Sequence, residues 1–384
     1  MTRSAALRPA NVAELASAIE AAAAAGDTLQ IRGGGSKDAI GTPTTATRLE
    51  MGAFSRIVDY DPAELVLTVA AGTPLAQVQA LVETQGQMLA FDPFDHGPVF
   101  GDEVGNATIG GVVAAGVAGS QRVSHGGARD HLLGFEAVSG RGERFVAGGK
   151  VVKNVTGFDL PKLAAGSWGR LFALTEITLK VLPAPRTRAT YVLEGPGFAI
   201  AQQAMAQALG SQADVAAAAH FPASAGMPAR TVFRIQGFAP SVVARARILE
   251  RLLAEHGRLR PLADGEAAIA WRQLRTFETL PMALPLWRIN VAPSRSVAVV
   301  AELGGDGHWL GDWGGGLLWL ASDADPDRIR RIVAQSDGHA TLVRSAAYRA
   351  DIPCLHPQPR GLAALEQRVR RAFDPNGVFE AGRF

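Results

Sequence analysis

The feature that most constrains the fold of this chain is a run of three glycines directly after a short strand. Residues Leu29–Arg32 are predicted to form that strand, and Gly33–Gly35 follow it immediately. Because glycine lacks a Cβ atom, three in succession allow a sharp turn whose backbone N–H groups point toward an anion. Ser36 and Lys37 add a hydroxyl group and a positive charge. The segment therefore indicates either a plain turn or a phosphate contact.

The established nucleotide-binding loops do not match this turn. A Walker A loop has Gly-Lys-Ser/Thr after a longer spacing, which is absent here. A Rossmann loop would place a glycine at position 38, where the chain has Asp38. On its own, the turn does not establish a nucleotide site.

Two further segments are rich in glycine and other small residues. Asn106–Gly111 continues to Gly116, Gly119 and Ser120, and side chains this small allow a flat or extended ligand to approach the backbone. Tight helix packing explains the same pattern equally well. The next such segment, Lys153–Gly169, precedes a predicted strand. The glycine turn and Asn106–Ser120, two such segments within one α/β domain, together favour a dinucleotide cofactor.

The second half of the chain has a different pattern. Pro183 and Pro185 lie within three residues of each other and mark a predicted domain boundary. Beyond them, strands interleave with predicted helices over Phe198–Leu209 and Val242–His256, as in a ferredoxin-like α+β unit. The sequence contains no evident long repeat.

Composition excludes several classes of protein. With 47% hydrophobic and 19% charged residues, the chain is predicted to be globular, and a net charge of +2 argues against a nucleic-acid-binding protein. The single cysteine, Cys354, cannot build a disulfide framework, a zinc site or an iron–sulfur site. No 18-residue apolar stretch is present, so we expect a cytoplasmic protein without a transmembrane segment.

Together these segments resemble the flavoprotein family of vanillyl-alcohol oxidase and p-cresol methylhydroxylase. Within that family, the chain is similar to the smaller FAD-binding subunits of bacterial glycolate oxidases. The combination of motifs carries this resemblance, because each motif alone is weak. The matching motifs are Val58–Val66, Gly72–Leu75, Gly86–Leu89, Lys153–Leu160, Leu286–Ile289, Asp312–Gly315, Gly338–Thr341 and Asp374–Phe379.

The resemblance implies an α+β fold. Residues 1–186 are expected to form a two-subdomain FAD-binding domain of the p-cresol methylhydroxylase (PCMH) type. Residues 187–350 are expected to form a ferredoxin-like α+β cap domain, and residues 351–384 to return toward the FAD domain.

The resemblance also implies FAD as the cofactor. Some relatives attach the flavin through a His or a Cys, and the glycine loop here contains neither, so we expect non-covalent binding. The residues expected to contact FAD are Arg32, Gly33, Gly34, Gly35, Ser36, Lys37, Thr108, Ile109, Gly110, Gly111, Ala114, Gly116, Gly119, Ser120, Glu176 and Ile177.

By the same resemblance, the substrate is a small 2-hydroxy acid such as glycolate or D-lactate, and the partners are a larger FAD-binding subunit and an iron–sulfur subunit. Oxidation of such an acid needs a hydride acceptor, a proton acceptor and a cation for the carboxylate. Arg288 is a candidate carboxylate clamp, and His125 and Arg129 are candidates near the flavin segment. We expect no metal site, because no second histidine accompanies His308 in the only metal-like segment.

Three functions remain open from the sequence. The chain is a catalytic subunit that oxidises a 2-hydroxy acid at its own FAD, or an accessory FAD-binding subunit for assembly or electron relay. The absence of the His-rich metal motif of the larger subunit favours the accessory function. An NAD(P)H-dependent FAD reductase shares the fold, but the C-terminal half of the chain does not resemble that enzyme.

Overall fold

The first half of the chain forms a small antiparallel sheet covered by helices. A computed structural model describes residues 6–149, 158–224, 226–345 and 352–384. The small sheet has the strand order β3-β4-β8-β6-β7, and β1 pairs with β2 in a separate parallel pair. The elements of this half are α1 (Val12–Ala25), β1 (Leu29–Arg32), β2 (Thr47–Glu50), β3 (Ile57–Asp61), β4 (Val66–Ala70), α2 (Leu75–Thr84), β5 (Gln87–Met88), α3 (Ile109–Ala114), α4 (Arg122–His125), α5 (Ala128–His131), β6 (Leu132–Ser139), β7 (Arg144–Gly148), α6 (Leu160–Ala164), β8 (Phe172–Lys180) and β9 (Leu182–Pro183).

Local sequence fixes where α1 and β1 lie. The Asn11 side chain caps α1 by accepting a hydrogen bond from the Glu14 backbone N–H, at 3.0 Å, and Gly26 ends the helix with a φ of 71°. Leu15 and Ile19 of α1 are fully buried, and they share a hydrophobic cluster with Leu29 of β1. The end of β1 is thereby held in a fixed position.

The second half contains a single eight-stranded sheet. Its strand order is β13-β10-β12-β11-β15-β16-β14-β17. The elements of this half are β10 (Thr187–Glu194), α7 (Phe198–Leu209), β11 (Ala217–Phe221), β12 (Arg230–Gly237), α8 (Ala239–Leu252), β13 (Leu259–Pro261), α9 (Asp264–Thr276), β14 (Leu286–Asn290), α10 (Ser296–Leu303), β15 (His308–Asp312), β16 (Leu317–Ala321), α11 (Pro326–Gln335), β17 (His339–Arg344) and α12 (Arg360–Phe373).

This sheet consists of two ferredoxin-like units joined edge to edge. Each unit has the order strand, helix, strand, strand, helix, strand, and α9 connects them. The join is the antiparallel pairing of β11 with β15, at His220 and Gly311. The predicted α+β class is confirmed. The ferredoxin-like unit predicted from the sequence is present twice, although no sequence repeat indicates it.

Buried side chains connect the two sheets. Phe94, from the first half, packs edge-on against Phe277, with the ring centroids 6.3 Å apart. Phe277 in turn packs against Trp319 of β16, with the ring centroids 4.3 Å apart. All three belong to a hydrophobic cluster that also contains Phe172 of β8. Within the described residues, no helix is long and apolar enough to cross a bilayer.

Candidate functional site

A cleft opens where β1 ends. The glycine turn forms one wall and the first turns of α3 form another. The remaining walls come from the segment before β8 and from the C-terminal residues. The residues that line the cleft are Gln30, Ile31, Arg32, Gly33, Gly34, Gly35, Ser36, Lys37, Asp38, Met51, Ala71, Thr108, Gly110, Gly111, Ala114, Ala115, Ser167, Trp168, Gly169, Phe172, Leu174, Glu380, Arg383 and Phe384.

The glycine turn is packed so tightly that side chains do not fit. A Cβ atom on Gly34 would lie 1.8 Å from the carbonyl oxygen of Asn106, and one on Gly33 would lie 2.2 Å from Oγ1 of Thr108. Gly35 adopts a φ of 90°, a left-handed conformation that favours glycine. The wall of the cleft is therefore bare backbone, which suits close approach by an extended ligand such as a dinucleotide.

The start of α3 provides a second close-packed wall. Thr108 caps this short helix by accepting a hydrogen bond from the Gly111 N–H at 3.3 Å. A Cβ atom on Gly110 would lie 2.6 Å from the carbonyl oxygen of Ala71. The small residues of α3 therefore allow tight helix packing and also form a wall of the cleft. Helix packing and close approach of a ligand were the two interpretations that the sequence left open, and both apply.

Lys37 lines this cleft, and none of the ion pairs among the described residues includes it. Its ammonium contacts Oγ of Ser36 at 3.4 Å. Burial lowers the pKa of Lys37 to about 8, against the opposing effect of Asp95. Arg32, by contrast, is paired with Asp38 at 2.6 Å and with Glu50 at 3.0 Å. Lys37 is therefore the side chain best placed to meet a negative ligand here.

The C-terminal residues hold the glycine turn in place. Arg383 is buried and donates hydrogen bonds to the carbonyl oxygens of Ile40, at 2.6 Å, and Lys37, at 3.1 Å. The ring of Phe384 lies 4.8 Å from that of Trp168 across the cleft. Sequence reasoning missed these residues, because nothing local to positions 380–384 indicates a contact with a turn more than 340 residues earlier.

Several residues predicted to contact FAD do not line this cleft. Ile109 and Ile177 are fully buried in the core, and Glu176 forms an ion pair with Arg56. Gly116 follows α3 with a φ of 64°. Residues 150–157, which include part of the motif Lys153–Leu160, lie outside the described residues.

Gly119 and Ser120 instead contact the eight-stranded sheet. The Gly119 carbonyl accepts a hydrogen bond from the indole N–H of Trp313 at 3.0 Å. The Ser120 hydroxyl donates to Oδ2 of Asp312 at 2.8 Å. These two contacts join the glycine-rich segment of the first half to the turn between β15 and β16.

Arg288, His125 and Arg129 are not brought together. Arg288 lies on β14 and lines a second cleft beside Trp313. His125 is half-buried, exchanges a hydrogen bond with the Ser124 hydroxyl at 2.7 Å, and lines a third depression. Arg129 is exposed on α5. Their roles stay predictions. The described residues contain no group of three or more His, Cys, Asp or Glu side chains arranged to hold a metal ion.

His96 is a buried histidine in the segment that precedes α3. It stacks on Phe94, with ring centroids 4.8 Å apart, and its Nδ1 atom has no hydrogen-bond partner in the part of the chain that the structure describes. Burial, together with the charges of Lys37 and Arg288, holds the pKa of His96 well below its usual range.

Comparisons with known proteins agree with this architecture. Residues 4–148 match the model of an FAD binding domain. The chain is 37% identical over 362 residues to the glycolate oxidase subunit GlcE of Escherichia coli (strain K12), and the match covers 92% of each chain. It is 31% identical over 137 residues to the glycolate oxidase subunit GlcD of Bacillus subtilis (strain 168), a match covering 36% of this chain and 27% of GlcD.

Among solved structures, the fold is similar to that of p-cresol methylhydroxylase with substrate bound. The TM-score is 0.69 at 13% sequence identity, and the superposition covers 98% of this chain and 88% of the other. This similarity supports the PCMH-type fold.

Proposed function

Because the chain belongs to the family of the glycolate oxidase subunit GlcE, whose members are FAD-linked oxidoreductase subunits, we propose that it binds FAD non-covalently in a complex that oxidises glycolate. The product is the 2-oxo acid, and D-lactate is a second candidate substrate. The proposed partners are a larger FAD-binding subunit and an iron–sulfur subunit that receives the electrons. The complex is proposed to be cytoplasmic, with peripheral attachment to the membrane.

The observation that carries this proposal is the glycine-walled cleft. We place the FAD pyrophosphate against Gly33–Lys37, where the backbone leaves no room for side chains and Lys37 supplies positive charge. Thr108, Gly110, Gly111 and Ala114 face the same space. In this arrangement residues 1–186 bind FAD and the sheet of residues 187–350 covers it. When bound, FAD supplies the hydride acceptor.

The chain's own residues would orient the substrate. Arg288 is proposed to hold the substrate carboxylate, because it faces the second cleft and has no ion pair among the described residues. His125 and Arg129 lie elsewhere, so neither is positioned to accept a proton beside Arg288.

That separation favours a second candidate function, in which this subunit binds FAD for assembly or electron relay and the larger subunit oxidises the substrate.

Reduction of the bound flavin by substrate distinguishes the two functions. The purified chain is loaded with FAD and mixed with glycolate or D-lactate without oxygen. Loss of the visible flavin absorbance supports catalysis by this subunit. Flavin that stays oxidised alone but becomes reduced when the partner subunits are added supports the accessory function. A chain that takes up no FAD contradicts both.

Replacing Lys37 with methionine tests the placement of the pyrophosphate. A Lys37 pKa of about 8 means that the ammonium loses its charge as the pH rises through that value, so FAD affinity should fall about tenfold between about pH 7 and pH 9. Lys37→Met should bind about tenfold more weakly at neutral pH and lose this dependence. Titration with FAD, followed by flavin fluorescence, measures both.

The matched control for this test is Lys162→Met. Lys162 is exposed and pairs with Asp159 at 2.8 Å outside the cleft, so its loss should leave FAD affinity and its pH dependence unchanged. A Lys37→Met protein with the wild-type affinity and pH profile would place the pyrophosphate elsewhere.

A further inference from the structure

The second cleft contains two arginines on one aromatic ring. Arg122 of α4 lies over the indole of Trp313 with its guanidinium carbon 4.3 Å from the ring centroid, and the guanidinium carbon of Arg288 lies 5.2 Å from the same centroid. Asn290 fixes Arg288 by accepting a hydrogen bond at 2.6 Å. One arginine comes from the first half of the chain and the other from the eight-stranded sheet, so the cleft lies at their junction.

Positive charge in this cleft is not compensated by ion pairs. Among the described residues, neither Arg122 nor Arg288 lies within salt-bridge distance of a carboxylate, although the charge of Asp130 acts on Arg122 from farther away. His339 also lines the cleft, and the lining contains a single acidic residue, Asp337, which is exposed. Burial, with a further contribution from Arg122, lowers the pKa of Arg288 to about 10, and burial, with further contributions from both arginines, lowers the pKa of His339. Two guanidinium groups held this way without an anion favour the binding of one.

We propose that this cleft binds a short dicarboxylate, with Arg122 and Arg288 each pairing with one carboxylate group beside Trp313. Planar guanidinium groups pair bidentately with carboxylates, and two of them near one ring match two carboxylates better than one. Oxalate and tartronate, the 2-hydroxy dicarboxylate, are ligands of this class. The effect on catalysis rests on the proposed function, because Arg288 is the proposed substrate clamp and an occupied cleft would exclude glycolate.

The experiment measures binding directly, on the flavin-free and the FAD-loaded chain in chloride-poor buffer. Tartronate and glycolate are titrated by calorimetry and by tryptophan fluorescence. We expect tartronate to bind at least about tenfold more tightly than glycolate, in both forms of the protein. Trp313→Phe should remove the fluorescence change while calorimetric binding persists.

Substitutions test whether the dicarboxylate binds in this second cleft. Arg122 is exposed, so Arg122→Gln should fold normally, weaken tartronate binding about tenfold and abolish the preference over glycolate. Arg122→Lys should restore part of the affinity, since it keeps the charge but not the planar fork. Arg295→Gln is the matched control, because Arg295 is exposed nearby but does not line the cleft.

Failure of this proposal is distinguishable from failure of the proposed function. Equal affinity for the two acids, or unchanged binding by Arg122→Gln, overturns the dicarboxylate site even if glycolate reduces the bound flavin. Tartronate binding with the expected variant effects supports the site even if the chain proves unable to take up FAD.

Discussion

Replacing Gly34 with alanine is expected to remove FAD from the purified protein. The added Cβ atom would lie 1.8 Å from a backbone oxygen of Asn106, so the turn or the Asn106 segment must move. The turn forms the wall where the pyrophosphate is proposed to lie, and backbone cannot yield as a flexible side chain does. We expect FAD affinity to fall at least about 100-fold, equivalent to about 3 kcal/mol. The ratio of flavin absorbance to protein absorbance after gel filtration measures the loss.

A glycine elsewhere provides the control for this result. Gly265 lies in the first turn of α9, where an added Cβ atom meets no neighbour within 4 Å. Gly265→Ala should therefore retain full flavin content and gain a little helix stability. Circular dichroism of Gly34→Ala should still show the wild-type secondary structure. A folded Gly34→Ala protein with normal flavin content would mean that the turn does not contact the cofactor.

The glycine turn was predictable because its cause is local. A strand followed by three glycines restricts the backbone within a few residues, and the structure places all six residues of Arg32–Lys37 in one cleft. The cap of α1 by Asn11 and its end at Gly26 were predictable for the same reason.

The remainder of the site depends on contacts between distant segments. Arg383 reaches Ile40 and Lys37, and Ser120 reaches Asp312, across separations that no sequence period reveals. The presence of two ferredoxin-like units also could not be predicted from the sequence. The two units share the alternation of helix and strand, but no evident repeat of the amino-acid sequence accompanies it.

Asp312 makes the junction between the two halves sensitive to pH. It is buried, and it accepts hydrogen bonds from the Ser120 hydroxyl at 2.8 Å and from the Trp313 N–H at 2.7 Å. Burial raises the pKa of Asp312 to about 7, because these hydrogen bonds and the charge of Arg234 only partly offset desolvation, and the charge of Asp92 adds to the rise. The folded protein therefore favours the protonated carboxyl group.

Because the folded protein favours the protonated carboxyl group, its free energy of unfolding should fall as the pH rises. The substitution Asp312→Asn should remove this pH dependence. In the unfolded chain Asp312 has its ordinary pKa near 4, so its contribution is fully present below about pH 4 and is lost as the pH rises to about 7. The asparagine is neutral throughout and keeps an acceptor for Trp313. We expect Asp312→Asn to match the wild type near pH 4 and to exceed it near pH 8 by on the order of 3 kcal/mol in the free energy of unfolding.

Urea denaturation at the two pH values measures this difference as a shift in midpoint. Asp323→Asn serves as the control, because Asp323 is exposed and its substitution should leave the pH dependence as in the wild type. If Asp312→Asn lost stability equally at both pH values, the Asp312 carboxylate would be ionised and stabilising in the folded protein. The junction would then be held by the charge attraction between Asp312 and Arg234, and not by a neutral carboxyl group.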